Sequence, residues 1–418
     1  MFDEISQCRI CGNPDLVPIL NLGEQSLTGI FPKQRDAKLT SGPLELIRCH
    51  AHNSEACGLV QLRQSYSLSE MYGENYGYRS SLNKSMARHL QQKVEKLLRI
   101  YPPRSGDLML DIGSNDGTLL SFYPQEGLTL VGMDPTSKKF AKYYQPHIQR
   151  IADFFSAKNF HAHFPGRSAK IITSIAMFYD LEAPLDFMRE IREILAPDGV
   201  WHLEQSYLPR MLQQNAYDTI CHEHREYYAL QQIQWMASRA DLKIIDVESN
   251  DVNGGSFAVT LARRDSAVGE NRTAIERFLQ VERAIGLDDG AGYDQFAEHV
   301  FRHKEQLIAL LQKLKNEKAR VLGYGASTKG NVILQFCGIT PEILPAIAEV
   351  NEDKFGAFTP GTRIPIISEA EAHAQRPDYF LVFPWHFREN LLQRESAFLQ
   401  RGGKMIFPLP QIDCVGTK

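Results

Sequence analysis

Four cysteines near the N-terminus are the first residues whose type and spacing can do chemistry. Cys8 and Cys11 form a Cys-x-x-Cys knuckle, and Cys49 and Cys57 follow within the first 57 residues. Two thiolates at the first spacing can hold one tetrahedral Zn²⁺ from a single turn, and the second pair completes a set of four ligands. Because the protein can fill all four positions, we predict a structural zinc ion.

The second pair leaves alternatives open. Seven residues separate Cys49 from Cys57, which is wider than the usual two to four, and His50 and His52 lie between them. One of these histidines could replace a cysteine as a zinc ligand, or the cysteines could all be free and buried. The total of seven cysteines is odd, and it fits a disulfide framework poorly.

A second cluster, at residues 217–228, has the sequence Tyr-Asp-Thr-Ile-Cys-His-Glu-His-Arg-Glu-Tyr-Tyr. Histidine suits proton abstraction near neutral pH, and a carboxylate such as Glu223 can orient it or tune its charge. His222 and His224 are two residues apart, so they would not share one face of a helix, and the zinc-protease spacing is missing. We therefore predict acid–base chemistry here rather than metal binding, with a purely structural loop as the alternative.

The run Leu108–Leu120 is typical of a strand, a glycine turn and the start of a helix. Gly113 allows the sharp turn, and Gly117 lets a ligand approach the backbone. Asp111 and Asp116 flank the turn, and their negative charge would repel a pyrophosphate but suits a cationic ligand. S-adenosylmethionine carries an ammonium and a sulfonium group and fits this pattern. The alternative is an ordinary glycine turn with solvated acids.

Two later segments supply further contacts for such a cofactor. Asp134 ends the next predicted strand about 20 positions beyond the glycines, where it can hydrogen-bond ribose hydroxyls. Asp153 and Phe154 offer a carboxylate and an aromatic face for an adenine. This ordered series resembles the S-adenosylmethionine-dependent class I methyltransferases. The predicted cofactor-binding residues are Asp111, Gly113, Asn115, Gly117, Asp134, Asp153 and Phe154.

A second glycine turn, Gly323–Gly330, follows a predicted strand and opens a helix. Its backbone N–H groups could bind an anion, and Lys329 adds the positive charge that suits a sugar-nucleotide diphosphate. The turn does not match a P-loop, and as a dinucleotide fingerprint it lacks the third glycine. Glu349 ends the next strand and could contact a ribose. The alternative is a structural turn without a ligand.

Composition limits the classes of partner. The 418 residues are 43% hydrophobic and 23% charged, and 46 basic against 50 acidic residues give a net charge of −4. This balance offers no general basic surface for nucleic acid, although a local basic patch stays open. No apolar run approaches the ~20 residues that span a bilayer, and Met1–Gln7 lacks the features of a signal peptide. We expect a cytoplasmic protein without a nucleic-acid or membrane partner.

The elements that must position these residues alternate between strands and helices, which predicts parallel sheets covered by helices. Apolar residues at helical spacing predict a helix over 82–99, and a shorter one is predicted at 138–144. The expected fold is α/β with three units. They are a small zinc-binding domain (1–67), a class I methyltransferase sheet of Rossmann type (68–265), and a helical linker with a second Rossmann-like domain (266–418).

The motifs of the whole chain together resemble one family, the nucleotide-sugar C-methyltransferases of deoxysugar biosynthesis. The resemblance spans almost all 418 residues. Two positions depart from the family pattern. Cys221 stands where characterised members often have tyrosine, and the second cysteine pair is wider. Besides the cysteine pairs, the matching segments are Tyr76–Ser81, Leu110–Gly117, Cys221–His224, Asn253–Ser256 and Gly323–Gly330.

The resemblance implies roles for particular residues. The family's base is the second histidine of a His-Glu-His motif, which corresponds to His224. The neighbouring glutamate corresponds to Glu223, and a tyrosine of the substrate site corresponds to Tyr76. A substrate-binding role for the C-terminal unit is also implied. The substrate contacts expected on this basis are Tyr78, Arg79, His222, Asn253, Gly325, Lys329 and Glu349.

We therefore expect C-methylation of a nucleotide-linked 4-keto-deoxysugar by S-adenosylmethionine, at C3, with C5 as the alternative. His224 would remove the proton acidified by the keto group, and Tyr76 and Asn253 would stabilise the enolate. The rival hypotheses are a methyltransferase acting on RNA or protein, an NAD-dependent nucleotide-sugar oxidoreductase, and a non-catalytic zinc-stabilised binding protein. The expected assembly is a monomer or a homodimer.

Overall fold

The computed structural model describes residues 2–50, 55–66 and 79–416. The predicted positions His52, Tyr76 and Tyr78 lie outside these residues. The described strands are β1 Phe2–Glu4, β2 Leu16–Ser26, β3 Ser41–Cys49, β4 Val60–Leu62, β5 Gln64–Tyr66, β6 Leu108–Ile112, β7 Thr129–Met133, β8 Ile148–Ile151, β9 Ala169–Ile175, β10 Leu195–Ser206, β11 Glu226–Tyr227, β12 Leu242–Asn250, β13 Ser256–Arg263, β14 Val321–Tyr324, β15 Ile347–Glu349, β16 Ile366–Ser368, β17 Tyr379–Val382, β18 Lys404–Phe407 and β19 Asp413–Val415.

The α-helices of the described residues connect and cover these strands. They are α1 Lys84–Ile100, α2 Ala157–His163, α3 Pro184–Ile194, α4 Leu208–Gln213, α5 Leu230–Arg239, α6 Arg272–Ala284, α7 Ala291–Asn316, α8 Thr328–Phe336, α9 Glu369–Ala374, α10 Arg388–Arg394 and α11 Ser396–Gln400.

The N-terminal unit is built on an antiparallel sheet in the order β11–β4–β3–β2. Leu44, Leu46 and Leu62 are fully buried and form part of its core. Strand β11 comes from far along the chain and pairs with β4 through residues 226–227. The N-terminal sheet is therefore completed by a segment that begins two residues after His224.

The central sheet has the order β12–β13–β10–β9–β6–β7–β8. Its strands run parallel except β13, which is antiparallel to β10 and β12. Counted within the unit, the order is 3-2-1-4-5-7-6. Every residue of β6 is buried, as expected for a central strand covered on both faces. Met109 packs with Leu90 and Val94 of α1 on one face, and Leu108 and Leu110 belong to the core on the other.

The C-terminal sheet has the order β16–β15–β14–β17–β18–β19, and only its last strand is antiparallel. Counted within the unit, this is the order 3-2-1-4-5-6 that is typical of dinucleotide-binding folds. The long helix α7 leads into it. His303 on this helix donates from Nε2 to the carbonyl oxygen of Pro408 (2.6 Å), so its Nδ1 accepts from the hydroxyl of Tyr217 (3.2 Å). One buried side chain thus joins the helix to the central and C-terminal units.

The mixed α/β architecture confirms the predicted fold class, and several strands, such as Leu108–Ile112, have the predicted bounds. The helix predicted at 138–144 is wrong. The chain forms two short 3-10 turns there, Pro135–Lys138 and Ala141–Tyr143. Pro146 disfavours helical backbone at Gln145, and Tyr144 already has an extended backbone (φ −67°, ψ 133°), so no longer helix forms here. None of the helices in the described part of the chain is long and apolar enough to cross a membrane.

Candidate active site

The four predicted zinc ligands come together in the N-terminal unit. Their sulfur atoms all lie within 4.8 Å of one another, with 3.5 Å between Cys8 and Cys57 and between Cys11 and Cys49. Tetrahedral Zn–S bonds of about 2.3 Å require sulfur atoms about 3.8 Å apart. The Asn13 side-chain amide donates to the Cys49 sulfur at 3.3 Å and supports that ligand. The cluster therefore fits a zinc ion with no open position for a catalytic water.

The cysteine knuckle is tied to the strand that follows the histidine cluster. Arg9, between the first two cysteines, donates to the Leu62 carbonyl oxygen and to the Ser65 hydroxyl (2.8 Å). Its Nε lies 4.0 Å from Glu226 Oε1 on β11. His50, the alternative ligand, does not belong to the metal-binding group that the described residues form.

A cavity of about 520 Å³ lies at the carboxyl ends of the central strands β6, β7, β9 and β10. Ligands of open α/β sheets bind at this position. Five of the seven predicted cofactor-binding residues line the cavity. They are Asp111, Gly113, Asn115, Asp134 and Phe154.

The glycine turn and Asp134 form one hydrogen-bonded unit at the cavity wall. The backbone N–H of Asn115, a residue with a left-handed φ of 51°, donates to Asp134 Oδ2 at 2.8 Å. The backbone N–H and hydroxyl of Thr136 donate to Oδ1 at 2.6 and 2.7 Å. These bonds hold the carboxylate in place, and Oδ2, which accepts only one of them, keeps a lone pair for a ligand hydroxyl. Gly113 has a φ of 74°, and a Cβ there would lie 3.1 Å from the Met177 side chain.

The other two predicted cofactor-binding residues lie outside this lining. A Cβ on Gly117 would lie 3.1 Å from the ring of Tyr144, so this glycine makes room for a side chain of the protein itself. Asp153 accepts from the backbone N–H of Phe154 (2.8 Å) and from the side chain of Asn159 (3.2 Å). Phe154 is 61% exposed at the cavity edge, where its ring is available to a flat ligand.

The cavity wall is acidic. Burial raises the pKa of Asp111 to about 7, in spite of a hydrogen bond from Thr173 to its carboxylate (2.6 Å). A cation bound near this group favours its ionised form. The donor set therefore fits the ammonium and sulfonium groups of S-adenosylmethionine. Among the described lining residues none is basic, and the acidic ones are Asp111, Asp134, Asp180, Glu182 and Glu204.

Glu204 was not among the predicted site residues, although it stands near the carboxyl end of a strand, which is a signal for a ligand crevice. It accepts from His89 Nε2 at 2.5 Å and pairs with Lys93 Nζ at 2.8 Å. Burial alone would raise the pKa of Glu204, but these partners lower it to about 2. His89 and Lys93 of α1 are thus bound to a buried, ionised carboxylate that lines the cavity.

His224 lies next to the cavity. Its ring centroid is 4.4 Å from that of Tyr179, which lines the cavity. Its Nδ1 is 2.9 Å from the carbonyl oxygen of Thr219. A carbonyl oxygen can only accept, so the neutral ring carries its lone pair on Nε2. Burial, followed by the charge of Lys329, lowers the pKa of His224 to about 4, which keeps the ring neutral at physiological pH.

Glu223 and His222 face the N-terminal unit. The hydroxyl of Thr28 donates to Glu223 Oε2 at 3.3 Å and lies 3.5 Å from His222 Nδ1. The ring of His222 meets that of Tyr66 edge-on at 4.6 Å between centroids. Burial raises the pKa of Glu223 and lowers that of His222 to about 3. Glu223 thus retains a proton more readily than an ordinary glutamate, and the ring of His222 is neutral.

Lys329 brings a positive charge from the C-terminal unit to the same region. Its Nζ donates to the carbonyl oxygen of Asn253 at 2.9 Å, and Asn253 lines the cavity with a left-handed φ of 55°. The structure therefore places the predicted residues Lys329, Asn253 and His224 together, on three different segments of the chain.

Two further predicted substrate residues, Glu349 and Gly325, have contacts within the second glycine turn. The Glu349 carboxylate accepts backbone N–H groups from Ala326 (2.9 Å), Val350 (2.7 Å) and Asn351 (3.0 Å). Gly325 has a φ of 83°, and a Cβ there would lie 2.6 Å from the ring of Pro384. Both residues shape the second glycine turn from within.

Arg79 lies against the first glycine turn. Its guanidinium stacks over the ring of Tyr143 at 4.2 Å, and its Nε lies 3.9 Å from Asp116 Oδ2. The next two backbone N–H groups, of Ser80 and Ser81, donate to the side chains of Asn115 and Asp116, both at 3.1 Å. The motif that ends with residues 79–81 is therefore attached to the cofactor turn.

Comparison with known proteins agrees with this layout. Three family models match consecutive parts of the chain: a zinc binding domain at residues 8–72, a methyltransferase domain at 82–247 and a C-methyltransferase C-terminal domain at 251–410. The C-methyltransferase NovU of Streptomyces niveus is 30% identical over 410 residues, which cover 97% of this chain and 96% of that protein.

Solved methyltransferase structures overlap with part of the chain. The CcbJ methyltransferase of Streptomyces caelestis is 12% identical, with 42% of this chain and 89% of that one covered and a TM-score of 0.33. An O-methyltransferase family protein of Burkholderia thailandensis is 16% identical, with 45% and 59% covered and a TM-score of 0.34. The near full-length match to NovU, together with the cysteine cluster and the acidic cavity, shows that the chain belongs to the C-methyltransferase family and is an S-adenosylmethionine-dependent enzyme with a zinc-binding N-terminal unit.

Proposed function

We propose that the enzyme methylates C3 of a nucleotide-linked 4-keto-deoxysugar. The observation that carries the proposal is the state of His224, whose Nδ1 is committed to the Thr219 carbonyl and whose Nε2 is left as an acceptor beside the cavity. A neutral imidazole can remove a proton from carbon only where a neighbouring group acidifies the C–H bond. A keto group next to the methylated carbon meets this requirement.

The proton chemistry is divided between the histidine cluster and the groups around it. His224 takes the proton from C3, and the electron pair moves onto the keto oxygen as an enolate. Tyr76 and the side-chain amide of Asn253 donate hydrogen bonds to that oxygen. Glu223 assists with a carboxyl group that holds a proton because burial raises its pKa. S-adenosylmethionine, when bound, supplies the electrophilic methyl group that the enolate carbon takes up.

The C-terminal unit (266–418) provides the nucleotide-sugar site in this proposal, with 68–265 as the methyltransferase unit and 1–67 as the zinc-binding unit. Its strand order is one that binds nucleotides at the crevice where the order reverses. Lys329 is the second residue of α8, in the turn that follows β14, and we propose that it supplies a cation for the diphosphate. Tyr78, Arg79 and His222 are proposed to contact the sugar.

The proposal is tested by incubating the zinc-loaded enzyme with S-adenosylmethionine and a panel of 4-keto-6-deoxy nucleotide sugars in heavy water. Mass spectrometry then follows methyl gain and deuterium incorporation into each sugar. Methyl gain on one nucleotide series supports the proposal, and NMR of that product identifies the carbon. Methylation at C5 would correct the position.

Two other outcomes separate the base from the substrate. Deuterium exchange without methyl gain would support base-catalysed proton removal and point to a different sugar of the same class. If S-adenosylmethionine binds but no sugar in the panel exchanges a proton or gains a methyl group, the sugar assignment is wrong. Other acceptors with an acidic carbon would then be screened.

A further inference from the structure

The segment at residues 26–29 begins with the last residue of β2 and lies where all three units meet. Gln335 of α8 brackets Ser26, because it accepts from the Ser26 backbone N–H at 2.8 Å and donates to its carbonyl oxygen at 3.1 Å. Asn331 of the same helix donates to the carbonyl oxygen of Thr28 at 2.7 Å. The C-terminal unit thus holds this N-terminal segment by three hydrogen bonds between residues more than 300 positions apart.

Thr28 turns its side chain from this anchored backbone toward the histidine cluster. The residue is fully buried, and its hydroxyl donates to Glu223 Oε2 at 3.3 Å. A threonine hydroxyl has one proton to donate, so the nearby His222 Nδ1 faces its lone pairs. The thiol of Cys221 is another neighbour of this carboxyl group, and its interaction lowers the pKa of Glu223. Of these two neighbours of Glu223, Thr28 is the one that the N-terminal unit contributes.

Gly29 packs against the other oxygen of the Glu223 carboxyl group. A Cβ built on Gly29 would overlap Glu223 Oε1 and would lie 3.6 Å from its Cδ. The φ of Gly29 is not in the left-handed region, so the backbone itself does not demand glycine. The demand comes from the close approach of Glu223 to the backbone.

We propose that Thr28 and Gly29 are positioning residues, through which the zinc-binding unit fixes the Glu223 carboxyl group in the active site. Thr28 holds one oxygen by a hydrogen bond, and Gly29 leaves room for the other. The inference rests on the proposed function, in which Glu223 assists His224. It adds that the N-terminal unit builds part of the reaction site, beyond binding zinc.

Three variants separate positioning from folding. Thr28→Val keeps the volume but removes the hydroxyl, whereas Thr28→Ser keeps the hydroxyl. Gly29→Ala introduces an overlap with the end of a side chain rather than with backbone, so the chain can fold while Glu223 must move. Each variant is compared with the wild type in zinc content, unfolding midpoint and affinity for S-adenosylmethionine, all of which we expect to stay close to those of the wild type.

The kinetic expectation follows from the loss of one hydrogen bond to an ionisable group. Thr28→Val and Gly29→Ala should lower kcat by about 10- to 100-fold with little change in KM, and Thr28→Ser should retain most of it. In a Glu223→Gln background, both changes should cause little additional loss, because residues that act through one group are not additive. Equal losses with and without Glu223 would overturn the proposal.

A second readout does not depend on the methyl acceptor. The Glu223 carboxyl band is followed by infrared difference spectroscopy against pH, with Glu223→Gln as the blank. Loss of the Thr28 hydroxyl should raise the pKa of Glu223 further, because that bond favours the ionised form, and Gly29→Ala should shift the band. An unchanged band and titration in both variants would refute positioning. If the wild type methylates no 4-keto sugar, the proposed function fails while this titration still decides the inference.

Discussion

The imidazole of His224 donates from Nδ1 to the carbonyl oxygen of Thr219 over 2.9 Å, and this bond makes Nε2 the acceptor of the ring. The turn that carries the carbonyl is itself held from two sides. Asp218 accepts from the indole N–H of Trp385 at 2.8 Å, and Thr219 donates its hydroxyl to the carbonyl oxygen of Ala216 at 2.7 Å. The tautomer of the candidate base therefore depends on a contact between the central and C-terminal units.

Replacement of the candidate base tests this assignment directly. His224→Asn should lower methyl transfer by about 10²- to 10⁴-fold, the usual contribution of a general base. The affinity for S-adenosylmethionine, measured by calorimetry, should stay unchanged because His224 is not among the residues that line the cofactor cavity. The matched control is His161→Asn, which changes a half-buried histidine on α2 that pairs with Glu193. Near-normal turnover by His224→Asn would show that another group is the base.

The pH dependence should report the low pKa of His224. The ring must be neutral to accept a proton, so kcat/KM for the sugar, measured at saturating S-adenosylmethionine, should fall only as the pH drops through about 4, well below the ordinary value of 6.5. At pH values above about 5, protonation of His224 should not limit kcat/KM. Lys329→Met should move the acid limb upward, because the lysine charge helps to lower this pKa. An acid limb near 6.5 that is indifferent to Lys329→Met would contradict the assignment.

Cofactor affinity should depend on the ionisation of Asp111. Burial raises its pKa to about 7, so below that pH the carboxyl is protonated in the free enzyme, whereas a bound cation favours the carboxylate. Binding should therefore release a proton and strengthen as pH rises, by about tenfold per unit from about 5 to 7. Calorimetry in buffers with different ionisation enthalpies counts the proton. Asp111→Asn should remove both effects, and a pH-independent affinity in the wild type would argue against the role.

Loss of zinc should weaken both stability and catalysis. We expect one zinc ion per chain, and Cys8→Ser should release it and lower the unfolding midpoint on the order of 10 °C. Activity should fall too, because β11 completes the N-terminal sheet two residues beyond His224. The control is Cys414→Ser, which changes an exposed cysteine outside the cluster. Metal analysis and thermal unfolding check the first part, and an enzyme that keeps full activity after complete zinc removal would contradict the second.

Lys329 should act on the acceptor substrate rather than on the cofactor. Lys329→Met should raise KM for the nucleotide sugar by about 10- to 100-fold, the effect of losing one charge-assisted hydrogen bond, and leave cofactor affinity unchanged. Lys318→Met, which changes a lysine just after α7, is the control. If Lys329→Met instead raises the dissociation constant of S-adenosylmethionine and leaves KM for the nucleotide sugar unchanged, Lys329 would be assigned to the cofactor site.

Sequence patterns predicted the parts of the site that are encoded locally. The run Leu108–Leu120 shows a buried strand, a tight turn and a charge pattern within thirteen residues, and its strand has the predicted bounds. The Cys8–Cys11 knuckle likewise occupies a single turn, and its four-cysteine cluster formed despite the wide second pair. The run Leu108–Leu120 and the Cys8–Cys11 knuckle could be predicted because residues close together in the sequence are also close together in space.

Contacts between distant segments had no such signal. Thr28 touches Glu223 from 195 positions away, and Asn331 holds Thr28 from 303 positions away. The position of Glu204 near the end of a predicted strand was a partial signal for a ligand site. Its contacts with His89 and Lys93 could not be predicted from the spacing of these residues in the sequence. Apart from Glu223, none of these residues belongs to a motif that the sequence shows, because each is matched to its partner only by packing.

The sequence by itself thus predicted the α/β class and the cysteine cluster, which the structure confirms, and it proposed the cofactor turn and the candidate base. Only the tertiary structure decided which tautomer His224 adopts, which carboxylates line the cavity, and that the N-terminal unit reaches Glu223. The reason is physical. Local patterns follow from backbone geometry over a few residues. The position and pKa of a side chain depend instead on the groups that burial packs against it, and here those groups come from three different sheets.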